Sequence, residues 1–462
     1  MKHKIGLFIF RRDLRIEDNT ALNYAHNLCE KVIPIFIFTH EQVERNPYKS
    51  ENAVLFMIET LEELEETIRA KGGWFYTFYD KSHNVVQHWI ERYDEIEAVF
   101  VNQDYSLYSK ERDKRIKNVC ERNSVSFYSC HDICLYPPQS IRTTTDEVYS
   151  KFTPFYRNAI EREVPIPHTL RKMKFDTIQR RGLKKRITLK DAKNRFTVEN
   201  NHLEVRGGRS RGIKRLRNSE FDDYDKTRDY FERDTSKLSG YIKFGALSIR
   251  EVYHFWNKKY GRDSGLVRQL LWRDFYFHLL DDNKRLMKGK SFRQNYDRIR
   301  WENNPSLIKA WKEGKTGFPI VDACMRHLNQ NGYMHNRGRL IVSSFLIKTL
   351  LVDWRIGEMY FATRLLDYDP AANNGNWQWM SGSGADSQPY FRIFNPFSQG
   401  QRYDKDATFI KKWVPELKNV ESKDIHQWDK KYTSYPDLNY PNPIVDFSTQ
   451  REKALSLYKN VV

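Results

Sequence analysis

The chain has 462 residues, more than one hydrophobic core usually organises, so two domains are expected. Lys and Arg total 78 against 60 for Asp and Glu, a formal net charge of +18. That excess points to a polyanionic partner, because each phosphate neutralised releases condensed counterions. The cysteines (Cys29, Cys120, Cys130, Cys134 and Cys324) are few, odd in number and irregularly spaced, which argues against a disulfide framework and for a reducing, intracellular compartment, cytoplasmic or nuclear. The start MKHKIGLFIFRRDLR is unlike a signal peptide, and the most apolar later stretch, Ile341 to Trp354, is short and carries Lys348 and Asp353. No membrane span is expected.

The first third alternates short β-rich runs with amphipathic helical segments. Lys4 to Phe10, Val32 to Phe38, Trp74 to Tyr79, Ala98 to Asn102 and Val125 to Ser129 read as buried strands. Between them, Asn52 to Lys71 places Val54, Leu55, Ile58, Leu61, Leu64 and Ile68 at helical spacing. This alternation predicts a parallel sheet with helices on both faces, over about residues 1–130. The first turn has no Gly-rich phosphate fingerprint, so a nicotinamide-dinucleotide site is excluded there.

From His131 to Asp222 the periodicity weakens and the charge becomes strongly basic, as in RRGLKKRITLK and RGGRSRGIKRLRN. Residues 131–222 are expected to form a long connection over the surface. From 223 to 462, helical patterns with aromatic faces dominate and strand signals nearly vanish, which predicts an all-α second domain.

Gly314, Lys315 and Thr316 spell the end of a P-loop, but the Gly required five residues earlier is replaced by Lys309 and no buried strand precedes it. Cys130 and Cys134 flank His131 without a second ligand pair at zinc spacing, and no metal site is expected. The segment Leu366 to Phe394, LDYDPAANNGNWQWMSGSGADSQPYFRIF, stands out. Asp367 and Asp369 are acceptors two residues apart, Asn373 and Asn374 offer amides, and Trp377 and Trp379 offer stacking faces. Such a set is costly to bury in an ordinary core and suits a polar aromatic ligand.

These blocks, with RRDLRIEDNTAL (Arg11 to Leu22), FTPFYR (Phe152 to Arg157), TSKLSGYIKFGALS (Thr235 to Ser248), QLLWRDFY (Gln269 to Tyr276), GKTGFPIVDACMRHL, GYMHNRGR, VDWRIGE and WVPEL (Trp413 to Leu417), occur in one order over nearly the whole chain. In this the sequence resembles the photolyase and cryptochrome family, most of all the class I cyclobutane pyrimidine dimer photolyases. The resemblance implies a Rossmann-like α/β antenna domain and an all-α domain that binds FAD. It implies a monomer acting on UV-damaged DNA by electron transfer from excited reduced FAD to a flipped-out dimer, a reaction whose hard chemistry belongs to the cofactor. A second antenna chromophore of folate or deazaflavin type is compatible with it, its identity open.

Residue by residue, the resemblance places Tyr224, Thr235, Ser236, Lys237, Leu238, Ser239 and Arg273 on the diphosphate and ribose side of FAD. It places Asp367, its partner Arg339, and Asp369 along the folded cofactor, and Asn373 facing flavin N5. Trp377, Trp354 and Trp301 fill the positions of a photoreduction relay. Trp272 and Trp379 match the walls that sandwich a flipped dimer, with Asn336 beside them and Arg228, Arg337 and Arg402 on phosphates. Two positions depart from the pattern: Lys237 stands where the family usually has Arg, and Gln269 where dimer photolyases carry Glu. These keep open a cryptochrome-like photoreceptor without repair. A (6-4) photolyase is disfavoured, because Asn336 and Leu340 occupy the positions of its histidines.

Overall fold

The computed structural model describes residues 2–218 and 220–461. Strands β1 (His3–Phe10), β2 (Cys29–Phe38), β3 (Tyr76–Tyr79), β4 (Ile96–Asn102) and β5 (Ser126–Cys130) form one parallel sheet in the order β3-β2-β1-β4-β5. Side chains alternate across it with the strand period of two. Ile5, Leu7 and Ile9 of β1 pack with Val85, Trp89 and Ile116 from the helices Ser82–Arg92 and Leu107–Arg122. Phe8 and Phe10 enter the opposite core, shared with the helix Glu51–Ala70 and with Leu238, Tyr241, Leu266 and Tyr276 of the helical domain. One face of the sheet is therefore sealed by the second domain. Strand order reverses at β1, so a crevice opens at its C-terminal end, where Arg11 and Arg12 follow directly in sequence.

The expected elements are present with boundaries displaced by a few residues, and every described strand lies in the first 130 residues. The connection is more ordered than its pattern suggested. It carries the helices Phe152–Ile160, Leu189–Phe196 and Arg209–Asn218, and it buries Ile133, Leu135, Tyr136, Ile141, Phe152 and Phe155 in the shared core. Its helices keep helical spacing, as in Phe152, Phe155 and Ala159 or Leu189, Ala192 and Phe196, but each is too short for the pattern to stand out from the irregular segments around it. Beyond it, Asn336–Ser344, Trp354–Arg364 and Pro370–Ser381 are the helices that frame the main cavity, and Gly265–Asp282 packs behind Pro370–Ser381. Among the described residues, no helix is long and apolar enough to cross a membrane.

The two domains are joined by a buried polar seam. Leu14 N donates to Phe244 O at 3.0 Å, and Arg15 Nη1 to Gly245 O at 3.2 Å. Asp132 receives Arg15 at 2.7 Å and Arg250 at 2.8 Å. Burial pushes the Asp132 carboxyl up, but the two guanidinium groups outweigh it and hold the carboxyl down at about 2. Gly245 makes the close approach possible: its φ is +66°, and an added Cβ would lie 2.2 Å from Arg12 O. Gly245→Ala should therefore lower stability by at least about 2 kcal/mol, read as a shifted urea midpoint at unchanged slope. A wild-type midpoint would show that the seam yields easily.

Candidate functional site

A cavity in the helical domain is bounded by Ser239, Arg339, Asp367, Asp369, Asn373 and Trp377, and it runs past Leu340 to the exposed Asn336. The two aspartates do different work. Asp367 Oδ2 accepts from Ser239 Oγ at 2.6 Å and from Arg339 Nη2 at 2.8 Å, whereas its Oδ1 is buried with no hydrogen-bond partner. Asp369 has both oxygens committed. Its Oδ1 caps the helix Pro370–Ser381 through Ala371 N at 3.0 Å and Ala372 N at 3.4 Å, with Pro370 at the first helical position. Its Oδ2 takes Arg12 Nη2 from the α/β domain. Burial raises the Asp369 carboxyl, but Arg12, Arg273 and Lys243 together hold it below the usual range.

The capped helix carries Asn373 and Trp377 on one face, four residues apart. Asn373 Nδ2 donates to both the backbone oxygen and Oε1 of Glu358 at 3.0 Å. The amide is thereby oriented with its oxygen left as the free group on the cavity side. Glu358, 5% exposed, has its carboxyl pushed up to about 7 by burial, against hydrogen bonding from Asn373 and Tyr48. Sequence reasoning missed Glu358, although the VDWRIGE block contains it, because a helical Glu ordinarily faces water.

The unpartnered Asp367 oxygen fits the donor groups of FAD, and Ser239, Arg339 and the Asn373 oxygen complete a donor and acceptor set for its polar edges. The other sequence-predicted cofactor residues lie off this cavity. Lys237, at φ +47°, turns its ammonium to Glu204 at 2.5 Å and Asp234 at 2.8 Å, so its charge is already balanced. Thr235 and Ser236 are half-buried and pinned through their backbone oxygens by Arg215, while the neighbouring Leu238 is buried. Arg273 donates to Ile133 O at 2.6 Å, and its Nη2 is buried without a hydrogen-bond partner. Tyr224 is half-buried beneath the Arg228 guanidinium, 5.9 Å from its ring centroid.

Of the three tryptophans expected to form a relay, Trp377 and Trp354 are buried and Trp301 is half-buried beside Tyr458. Trp377 lies against Gly357, where an added Cβ would meet the indole at 2.2 Å, one turn along the helix that Trp354 begins. Its nearest aromatic neighbours are Phe361 at 5.0 Å and Trp311 at 6.3 Å between centroids. Outside the cavity, Phe152 of the connection stacks on the half-buried Trp272 at 3.7 Å and 9°, fixing the indole plane. Gln269, one turn earlier on that helix, donates weakly to Gly265 O at 3.4 Å. Trp379 is half-buried. Arg337, paired with Asp229 at 2.6 Å, and the exposed Arg402 both lie over Tyr403.

A second cavity of about 490 Å³ occupies the crevice at the C-terminal ends of β1 and β2. Arg12, Arg45, Lys49, Arg112 and Lys243 line it, with Tyr48, Tyr108 and Tyr368 as aromatic surface. Arg112 Nη2 is buried there without a hydrogen-bond partner. Burial, then Arg12, bring the Lys243 amine down to about 7. Tyr368 borders both cavities and stacks on Tyr48 at 6.2 Å and 19°.

Residues 7–171 match the family model described as DNA photolyase, and residues 266–460 match that described as the FAD binding domain of DNA photolyase. A deoxyribodipyrimidine photo-lyase of Buchnera aphidicola (subsp. Acyrthosiphon pisum) is 37% identical, over 98% of this chain and 96% of the relative. That of Escherichia coli K12 is 34% identical, over 97% of each. Among solved structures, an archaeal photolyase from Sulfolobus tokodaii with two FAD molecules is 42% identical with a TM-score of 0.88, covering 99% of this chain and 100% of the other. A class III photolyase of Agrobacterium tumefaciens is 30% identical with a TM-score of 0.90, covering 100% and 98%.

The buried Glu358 carboxyl has a measurable consequence. Its folded pKa lies above that of an exposed Glu, so its ionisation opposes folding, and stability is lost as pH rises from the unfolded value toward about 7. Glu358→Gln keeps an acceptor for Asn373 and removes the titration. Between pH 5 and pH 8 the variant should gain about 2–3 kcal/mol relative to wild type in urea denaturation. A stability difference that does not change with pH would place the Glu358 carboxyl in a solvated setting.

Proposed function

Because the chain belongs to the DNA photolyase family, we propose that it repairs cyclobutane pyrimidine dimers in UV-damaged DNA, with FAD held in the cavity between Asp367 and Asn373. The observation that carries this reading is the unpartnered, buried Asp367 Oδ1 beside Ser239 and Arg339, facing the same space as the oriented Asn373 amide. The relatives named deoxyribodipyrimidine photo-lyase, matched over nearly full length, support the choice of lesion.

When bound, FAD supplies a light-driven one-electron transfer to the dimer and its return after the ring has split. The protein's own residues bind, orient and insulate. Asp367 Oδ1 accepts a ligand hydrogen bond that its other oxygen, held by Ser239 and Arg339, cannot. Asn373, with its amide nitrogen held by Glu358, presents an acceptor oxygen and so favours a ligand nitrogen that carries a proton. Backbone NH groups and hydroxyls of 235–239 receive the diphosphate, since the Lys237 charge is balanced by Glu204 and Asp234. Trp272, held flat by Phe152, stacks on the extruded dimer together with Trp379, while Gln269 and Asn336 hydrogen-bond its edge. Arg228, Arg337 and Arg402 contact the flanking phosphates.

The second cavity is the place for an additional chromophore. Its cationic lining and the unpartnered Arg112 donor favour one that carries phosphate, of flavin type. The Sulfolobus tokodaii relative, described as having two FAD molecules, supports this choice.

Illumination of the FAD-loaded protein with DNA containing one defined lesion tests the function: restored pyrimidines from cyclobutane dimers are expected, and none from (6-4) products. Binding of the dimer without repair would instead indicate a photoreceptor. Trp377→Phe should slow photoreduction of bound FAD at least about tenfold while chemically pre-reduced protein repairs at the wild-type rate, a difference of about 1.4 kcal/mol in barrier confined to one process. Equal losses in both would remove the separation of roles. Titration with FAD beyond one equivalent should saturate a second site in wild type, and Arg112→Gln should weaken that site alone; a single saturable site would exclude the additional flavin.

A further inference from the structure

The basic run of the connection is not used by either cavity. Residues 180–186, RRGLKKR, lie along the outer edge of β3, pinned by Tyr79 N to Lys185 O at 2.9 Å and Ile187 N to Thr77 O at 3.1 Å. The bonds run between backbones, so the side chains are left for other partners. Arg180 turns inward to Asp176 and Glu95, both at 2.9 Å. Arg181, Lys184, Lys185 and Arg186 are exposed, and none of them forms an ion pair among the described residues. Arg92, also exposed, joins them from the adjoining helix by donating to Arg181 O at 3.2 Å.

We propose that this strap is a second, lesion-independent docking surface for the phosphate backbone of duplex DNA, beyond the site that receives the lesion. An ordinary basic surface is interspersed with acids or carried on mobile loops, so its charges pair locally or lose entropy on binding. Here five cations that form no ion pair among the described residues are carried on a fixed backbone at a sheet edge and the adjoining helix, which lowers that ordering cost. A double helix fits better than a single strand because the strap has no exposed aromatic platform for unstacked bases: Tyr76 is buried and Tyr93 half-buried, each beneath a guanidinium. Gly182, at φ +69°, gives the turn its shape, and an added Cβ would meet Arg92 Nη2 at 2.5 Å. The strap thus adds a sequence-independent electrostatic contribution that retains the enzyme on undamaged DNA near a lesion.

The test is the salt dependence of binding to an undamaged duplex, using full-length FAD-loaded protein, its Lys184→Gln/Lys185→Gln variant and the corresponding Arg181→Gln/Arg186→Gln variant. Each lost phosphate contact should reduce the slope of log K against log salt by about 0.9, so each variant should lose about 1 to 2, with FAD content and repair at saturating substrate unchanged. Lys184→Gln alone, in an exposed turn, provides the same reading per charge should a double variant fold poorly. Unchanged slopes in all variants would overturn the proposal, as would a loss seen on a single strand but absent on the duplex.

Discussion

The Arg12 guanidinium, at the C-terminal end of β1, is the contact on which the site's geometry depends. It reaches Asp369 on one side and Asp104 on the other and donates to Lys243 O, so one buried cation ties the sheet to the helical domain. Removing either partner from such a pair would leave an uncompensated buried charge, which costs several kcal/mol. Asp369 is also the N-cap of the helix that carries Asn373 and Trp377. The pair therefore fixes where that helix begins, how it is rotated, and which atoms it presents to the cavity. Capping, ion pairing and the presentation of Asn373 and Trp377 to the cavity are consequences of one carboxylate being placed once.

The same arrangement separates the two cavities by a thin wall. Tyr368, between the two aspartates in sequence, borders both cavities and stacks on Tyr48. Behind it, Glu358 joins Tyr48 to Asn373 through its raised carboxyl. A change in charge on either side is thus felt across a few side chains, in a region where burial keeps electrostatic interactions strong. The basic strap at β3 lies outside this arrangement.

Much of this was legible in the sequence, and the reasons for the rest are physical. The strands of the first third announced themselves because a parallel sheet buried on both faces requires runs such as IGLFIF and VIPIFIF. Asp367 and Asp369 could be picked out as a ligand pair, but not their division of labour, which depends on a helix cap and on an arginine more than 350 residues earlier. The helices of the connection were hidden because each is short: Phe152, Phe155, Ala159 and Ile160 form a helical stripe of barely two turns, set among basic and irregular segments. Glu358 was hidden by its own chemistry, since a carboxyl becomes a buried hydrogen-bonding group only when a distant Asn and Tyr meet it. The stacking of Phe152 on Trp272 joins two blocks of the sequence that were both visible, yet their contact is set by the fold alone.

The claim that the interdomain pair sets the cofactor site is tested most directly by the FAD dissociation constant of Arg12→Met, measured by flavin fluorescence in protein that retains wild-type helix content. Arg12 lines the second cavity and does not border the main one, so the constant is read from the first equivalent of FAD, in protein that also carries Arg112→Gln as its background, and no contact of the main cavity is deleted. The account predicts affinity at least about tenfold weaker, or about 1.4 kcal/mol, because the Asp369 cap and the helix it starts are released. Wild-type affinity would contradict it and would mean that the helix is placed by the helical domain alone.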